Sequence, residues 1–231
     1  LYLEKGLVKC GVLYIDAQFW PYYGIQQINM GYDTVRDKTM KDSYNFMAVD
    51  EKYNPVIFLV RSSAEDLLDK ISEIINKVRE IGKQIGIDSK ELIVIFDREG
   101  YCAELFRILD CEDVGETVKH VRVDEKVKFI SWAKYADQWV YDYKEEEFNK
   151  CVIVKYEIQK AEEIKYFETE KTMSKYGKIR TIVIQSGRKK YRTAIYTNDR
   201  ESTAERIIQL MCRRWGQENV NKALKINHYI D

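Results

Sequence analysis

Two aspartates each follow a run of β-forming apolar residues. Val12-Leu13-Tyr14-Ile15 leads into Asp16, and Leu92-Ile93-Val94-Ile95-Phe96 leads into Asp97. In open α/β sheets ligands gather beyond the carboxyl ends of the strands, so two acids there are placed to share a divalent cation. Mg2+ takes oxygen donors and commonly uses only a few protein carboxylates beside phosphate oxygens. A third acid, Glu218, has Arg214 four residues before it and Lys225 seven after it. On a helix, at about 100° per residue, both cations lie within roughly 40° of the acid. One helix face then presents an oxygen ligand flanked by two cations, which suits metal-assisted cleavage of a phosphodiester. Each part also has a plainer use. An Asp after a strand is a common turn or cap residue, and Arg214 with Glu218 makes an ordinary helix-surface pair.

These residues need a sheet and a helix to hold them. Val12–Ile15 predicts a first strand, Tyr44–Val49 a second and Val56–Val60 a third. Ser62 and Glu65 have capping-box spacing. Leu67, Leu68, Ile71, Ile74, Ile75, Val78 and Ile81 then recur at helical spacing, up to Gly82 and Gly86. Residues 92–96 are apolar without alternation, as expected of a strand buried on both faces of a parallel sheet. A short helix near 103–109 and a strand near 118–123 complete a β-β-β-α-β-α-β order. Residues 125–199 change character: 152–154, 182–184 and 193–196 read as short strands in a polar frame. A last helix starts near Ser202, which stands three residues before Glu205, and Ile207, Ile208, Met211, Cys212 and Trp215 form its apolar stripe.

Composition narrows the classes. The chain has 231 residues, 45% apolar and 33% charged, with 38 Lys plus Arg balancing 38 Asp plus Glu. That suits a globular protein with a real core and excludes a collagen-like or disordered chain. No apolar run reaches the roughly 18 residues of a membrane span, and no secretory leader is visible. Five widely spaced cysteines without a C-x-x-C pair, and two histidines, argue for a reducing compartment and against a zinc site or a disulfide framework. Charge is uneven: residues 123–200 carry more Lys and Arg than Asp and Glu, and the remainder the reverse. Phosphate binding requires such a local patch rather than a basic total. A start at Leu1 suggests a piece of a longer protein.

Tyr14-Ile15-Asp16, with Pro21-Tyr22-Tyr23-Gly24 behind it, resembles the first catalytic segment of bacterial insertion-sequence transposases of the DDE type. Phe96-Asp97-Arg98-Glu99-Gly100 resembles their second segment, and Arg214-Trp215-Gly216-Gln217-Glu218-Asn219 their third. One cut-and-paste branch carries Tyr-x2-Arg-x3-Glu-x6-Lys. This chain reads Met211-x2-Arg214-x3-Glu218-x6-Lys225, so Met211 stands in the Tyr position. The resemblance covers most of residues 10–122 and 200–231; between them it extends only to a β-rich insertion.

The resemblance implies an α/β fold: an RNase H-like mixed sheet flanked by helices, with a β-rich insertion before the last catalytic helix. The core would comprise residues 1–124 and 200–231, and the insertion 125–199. By the same resemblance Asp16, Asp97 and Glu218 hold two Mg2+ or Mn2+ ions, while Arg214 and Lys225 grip phosphates. Trp215 either stacks on an extruded base or continues the apolar stripe of its helix. Arg188, Lys189 and Lys190, in the densest basic cluster, either track the DNA backbone or form an exposed hairpin turn. The implied activity is cleavage of transposon ends and strand transfer, on double-stranded DNA, by a homodimer on paired ends. That places it in the cytoplasm, on the nucleoid when acting, without a membrane. A catalytically inactive, domesticated DNA-binding protein of the same fold and a stand-alone RNase H-like nuclease are the alternatives. No N-terminal DNA-binding module is evident in the sequence.

Overall fold

Continuous apolar runs, alternating runs and two amphipathic stripes assemble into one large mixed sheet with helices on both faces. The computed structural model describes residues 11–28, 30–33, 36–62, 67–86, 91–112, 121–157, 160–187 and 190–214. In chain order the strands and helices are β1 (Val12–Pro21), β2 (Met30–Asp33), β3 (Lys38–Asp50), β4 (Pro55–Ser62), α1 (Leu67–Gln84), β5 (Ile93–Phe96), α2 (Ala103–Leu109), β6 (Lys128–Trp132), β7 (Lys150–Glu157), β8 (Lys160–Met173), β9 (Gly177–Ser186), β10 (Arg192–Thr197) and α3 (Ala204–Arg213). Among these described helices none is long and apolar enough to cross a membrane.

The strand order is β2-β3-β1-β5-β6-β10-β9-β8-β7, and β4 also pairs with β3. β2 and β4 share one edge of β3, one after the other along its length. β1, β5 and β6 are mutually parallel neighbours, and every other pairing is antiparallel. The central parallel strand β5 is short and buried on both faces: Val94, Ile95 and Phe96 are all fully inaccessible. That burial explains their unbroken apolar sequence.

Alternation of side chains divides the core in two. On one face Leu13, Ile15, Val94 and Phe96 pack against Ile71, Ile74, Ile75 and Val78 of α1 and Phe106 of α2. On the other, Tyr14, Ile95, Ile130, Ile164 and Ile182 meet Ile207, Ile208, Leu210 and Met211 of α3. Burying each such large side chain is worth about 1.5–3 kcal/mol, so these two stripes set where the helices lie.

Several expectations are corrected. β1 runs five residues past Asp16, which therefore lies within the strand rather than at its end. It can extend because β3, much longer than residues 44–49, pairs with it as far as Pro21. Of the strand expected near 118–123, residues 118–120 lie outside the described residues and 121–123 are not in a strand; β6 begins at Lys128. Pairing of Ile93 with Lys128 selects this later run. Ser62 ends β4, and Glu65, the other half of the expected capping box, lies outside the described residues. At α3 the cap is Thr203, whose hydroxyl accepts from the Arg206 amide, while the Ser202 amide donates to Asp199.

The short strands read at 152–154, 182–184 and 193–196 fall within β7, β9 and β10, joined by β8. They continue the same sheet, because β10 pairs with β6 on one side and β9 on the other. β6, a neighbour of β5, falls inside the range expected for the insertion.

Candidate functional site

Strand register brings the two aspartates together. Leu13 pairs with Val94 and Tyr14 with Ile95 in the parallel β1–β5 ladder, so two residues further on Asp16 stands beside Asp97. Side chains repeat every second residue in a strand. Asp16 therefore shares a face with Tyr14, and Asp97 with Ile95, the face covered by α3. Asp97 follows the last residue of β5 with extended backbone, which preserves the alternation.

Asp97 also serves as a cap. Its Oδ1 accepts from the Arg98 amide at 2.7 Å and opens a 3-10 turn over Arg98–Gly100. The turn closes tightly over Phe96: a Cβ on Gly100 would sit 2.4 Å from Phe96 Cδ2. The Ser131 hydroxyl of β6 donates to the Asp97 carbonyl at 3.4 Å. The plain reading of an Asp after a strand is thus correct for one carboxylate oxygen, and the other is directed elsewhere.

That other oxygen meets Arg214, which ends α3. Its guanidinium lies 3.5 Å from Asp97 Oδ2 and 3.9 Å from Asp16 Oδ1. Arg214 is only 9% exposed. Burial pushes the Asp16 carboxyl up to about 6, against the pull of Arg214 and with help from the negative charges of Asp97 and Glu99. One cation between two close acids does not offset the loss of water around Asp16.

The end of α3 is pinned from below. A helix leaves its last carbonyls without helical partners. The buried Tyr14 hydroxyl donates to the Leu210 carbonyl at 3.1 Å, and the Tyr53 hydroxyl to the Arg213 carbonyl at 2.9 Å. Glu51 adds ion pairs to Arg206 at 2.8 Å and Arg213 at 3.3 Å. The β3–β4 turn therefore fixes where Arg214 emerges. Neither Tyr14 nor Tyr53 was a candidate site residue from the sequence, although Tyr14 stands in the segment Tyr14-Ile15-Asp16. Tyr14 lies two residues before Asp16 on one strand, and that spacing is the signal that places both on one face.

Beside Asp97 lies a cleft of about 410 Å3. Asp97, Arg98 and Arg214 form one wall; Trp132, Tyr191 and Met211 supply apolar surface. Tyr191 sits in the β9–β10 connection, so the hairpin carrying the basic cluster borders the same cleft as Asp97. Within that cluster Lys190 is exposed, and Arg188 and Lys189 lie outside the described residues. Arg192 turns away from the cleft, donating to the Tyr143 carbonyl at 2.7 Å and pairing with Glu145 at 2.8 Å. Trp132 had no signal in the sequence, and Met211 is buried in this wall rather than projecting a polar group. Trp215, Glu218 and Lys225 lie outside the described residues. Among the described residues no group of three or more His, Cys, Asp or Glu side chains is assembled for a metal.

No family model matches this chain, and no curated protein matches it. Among solved structures it is similar to Marinitoga piezophila Argonaute in complex with 5′ OH guide RNA, at 14% identity and a TM-score of 0.37. That match covers 87% of this chain and 26% of the Argonaute chain. The same Argonaute in complex with 5′ OH guide RNA and target DNA matches at 14% identity and a TM-score of 0.36, over 87% and 25%. This chain thus spans about a quarter of the length of these neighbours.

Proposed function

We propose that this chain is the catalytic core of a DNA transposase that cleaves transposon ends and joins them to target DNA by metal-dependent phosphoryl transfer. One observation carries the reading: Asp16 and Asp97 stand side by side on adjacent parallel strands, facing the helix that ends in Arg214. The order β4-β3-β1-β5-β6, with β1, β5 and β6 parallel, supports an RNase H-like core.

The donor set suits a hard divalent cation. Two carboxylates, one largely desolvated, offer oxygen ligands of the kind Mg2+ and Mn2+ select. Glu218, four residues after Arg214, supplies the third carboxylate in this reading. When bound, two such ions activate the attacking oxygen and stabilise the leaving one. Asp16 and Asp97 hold their carboxylates in place through the β1–β5 register and the cap on Arg98. Arg214 and Lys225 bind non-bridging phosphate oxygens, for which a guanidinium has matching fork geometry. Arg188, Lys189 and Lys190 follow the DNA backbone from the hairpin beside the cleft. The protein acts as a homodimer on paired DNA ends.

Incubation with Mn2+ and DNA carrying the element's own ends tests this. Cut ends and joined end–target product are expected, both lost in Asp97→Asn. Cut ends without joined product would indicate a stand-alone nuclease. Metal-independent DNA binding without cleavage, identical in wild type and Asp97→Asn, would indicate a binding-only descendant and overturn the proposal.

A further inference from the structure

The guanidinium of Arg214 spans Asp16 Oδ1 and Asp97 Oδ2, two of the oxygens that would hold a divalent ion shared by the two acids. An ion taking those oxygens would compete with it. We propose that Arg214 is a resident counter-cation that a divalent ion displaces, and that the displaced guanidinium then turns into the adjoining cleft to take a phosphate. Metal loading and phosphate capture are thereby coupled through one side chain. This rests on the metal-site reading above.

Three features make the exchange local. The Tyr14 and Tyr53 hydroxyls hold the carbonyls of Leu210 and Arg213, so the helix end stays in place and the arginine side chain moves. Arg214 already lines the 410 Å3 cleft together with Asp97, so a rotation suffices to reach it. The cleft offers Arg98 as a second cation near the same wall, giving a phosphate two positive partners. Without metal, Arg214 prevents two bare carboxylates from facing each other beside an apolar wall. With metal bound, its charge would no longer be needed at the acids and could meet an anion.

Mn2+ titration of the whole chain by calorimetry at pH 8, without DNA, tests the exchange. Arg214→Gln should bind Mn2+ about tenfold more tightly than wild type, because a competing charge within 4 Å is removed. Arg214→Lys, which keeps the charge, should stay near wild type. Sulfate, a phosphodiester mimic that chelates Mn2+ weakly, should raise the affinity of wild type at constant ionic strength and leave Arg214→Gln unchanged. Phenylglyoxal labelling read by mass spectrometry should show Arg214 becoming more reactive as Mn2+ is added. Carboxylate-dependent binding that is unchanged or weakened in a folded Arg214→Gln overturns the exchange while the metal site stands. Binding insensitive to both Asp16→Asn and Asp97→Asn overturns the exchange and the metal site together.

Discussion

The parallel strands β5 and β6 carry charged groups at both ends, and the two ends are built on opposite principles. At the amino end Lys128 pairs with Glu201, Lys126 with Asp110 at 2.8 Å, and Arg200 with Glu170 at 3.0 Å. The 1%-exposed Asp199 accepts from the Glu201 and Ser202 amides at 2.9 and 3.0 Å. Burial opposes its ionisation, but these hydrogen bonds and nearby Lys128 prevail and hold its carboxyl below the usual range. At the carboxyl end two acids adjoin and the Arg214 guanidinium lies near both, and Asp16 is pushed up to about 6. Opposite charges gather where the fold only needs holding. Like charges held together at an energetic cost are the arrangement on which the proposed chemistry rests.

The largest effect that would break this contrast is loss of activity at one end alone. Asp97→Asn should reduce Mn2+-dependent DNA cleavage by about a thousandfold, since under the proposed function it removes a ligand of the ions that would stabilise the transition state. An equal loss in Asp199→Ala, measured on folded protein, would erase the distinction. Asp199→Ala should instead cost about 2–4 kcal/mol of stability, because it leaves the Glu201 and Ser202 amides without the carboxylate that accepts from them. Its urea midpoint should fall while its Mn2+ affinity stays that of wild type.

Asp16→Asn should do the reverse and stabilise the protein at pH 7.5 by about 1–3 kcal/mol, because each tenfold change in proton affinity is worth about 1.4 kcal/mol. The sign follows from the raised carboxyl. The folded state binds the Asp16 proton more tightly than the unfolded chain, so the penalty is absent below about pH 4 and complete above about pH 6. Urea melts of both proteins at pH 4 and pH 7.5 should therefore converge at the lower pH. Divalent-ion binding should weaken as pH falls below about 6, where a proton competes for Asp16. The smallest expected effect is that of Glu201→Gln, whose exposed ion pair with Lys128 should contribute under about 1 kcal/mol. A larger loss would mean that the amino end depends on its surface pairs rather than on buried Asp199.

Legibility differed by element for physical reasons. The apolar stripes of α1 and α3 and the unbroken run of β5 were readable because one helix face or one doubly buried strand imprints its own period. β8 was not readable. Its residues Lys160–Met173 are rich in Glu and Lys, which are poor strand formers, and only pairing with β7 on one side and β9 on the other makes them a strand. β6 was expected too early because more than one short β-forming run lies between α2 and β7, and only partnership with β5 distinguishes them. At the start of α3, Ser202 and Thr203 are both competent caps, and the demand of Asp199 for the Ser202 amide decides between them. For the candidate site, Asp16, Asp97 and Arg214 were identified as candidates from sequence, whereas Tyr14, Tyr53, Trp132 and Tyr191 were not.

The sequence by itself determined the inventory: which runs are apolar enough to be strands, which faces of α1 and α3 are buried, and which acids and cations are available near their ends. Only the tertiary structure decided that Asp16 adjoins Asp97, that Arg214 spans both, and that the basic hairpin borders the same cleft. Those placements depend on the β1–β5 register and on the docking of α3 by Tyr14, Tyr53 and Glu51, residues more than 150 positions away in the chain. Local propensity acts within a few residues, while register and docking are set by packing between segments that meet only when the chain has folded.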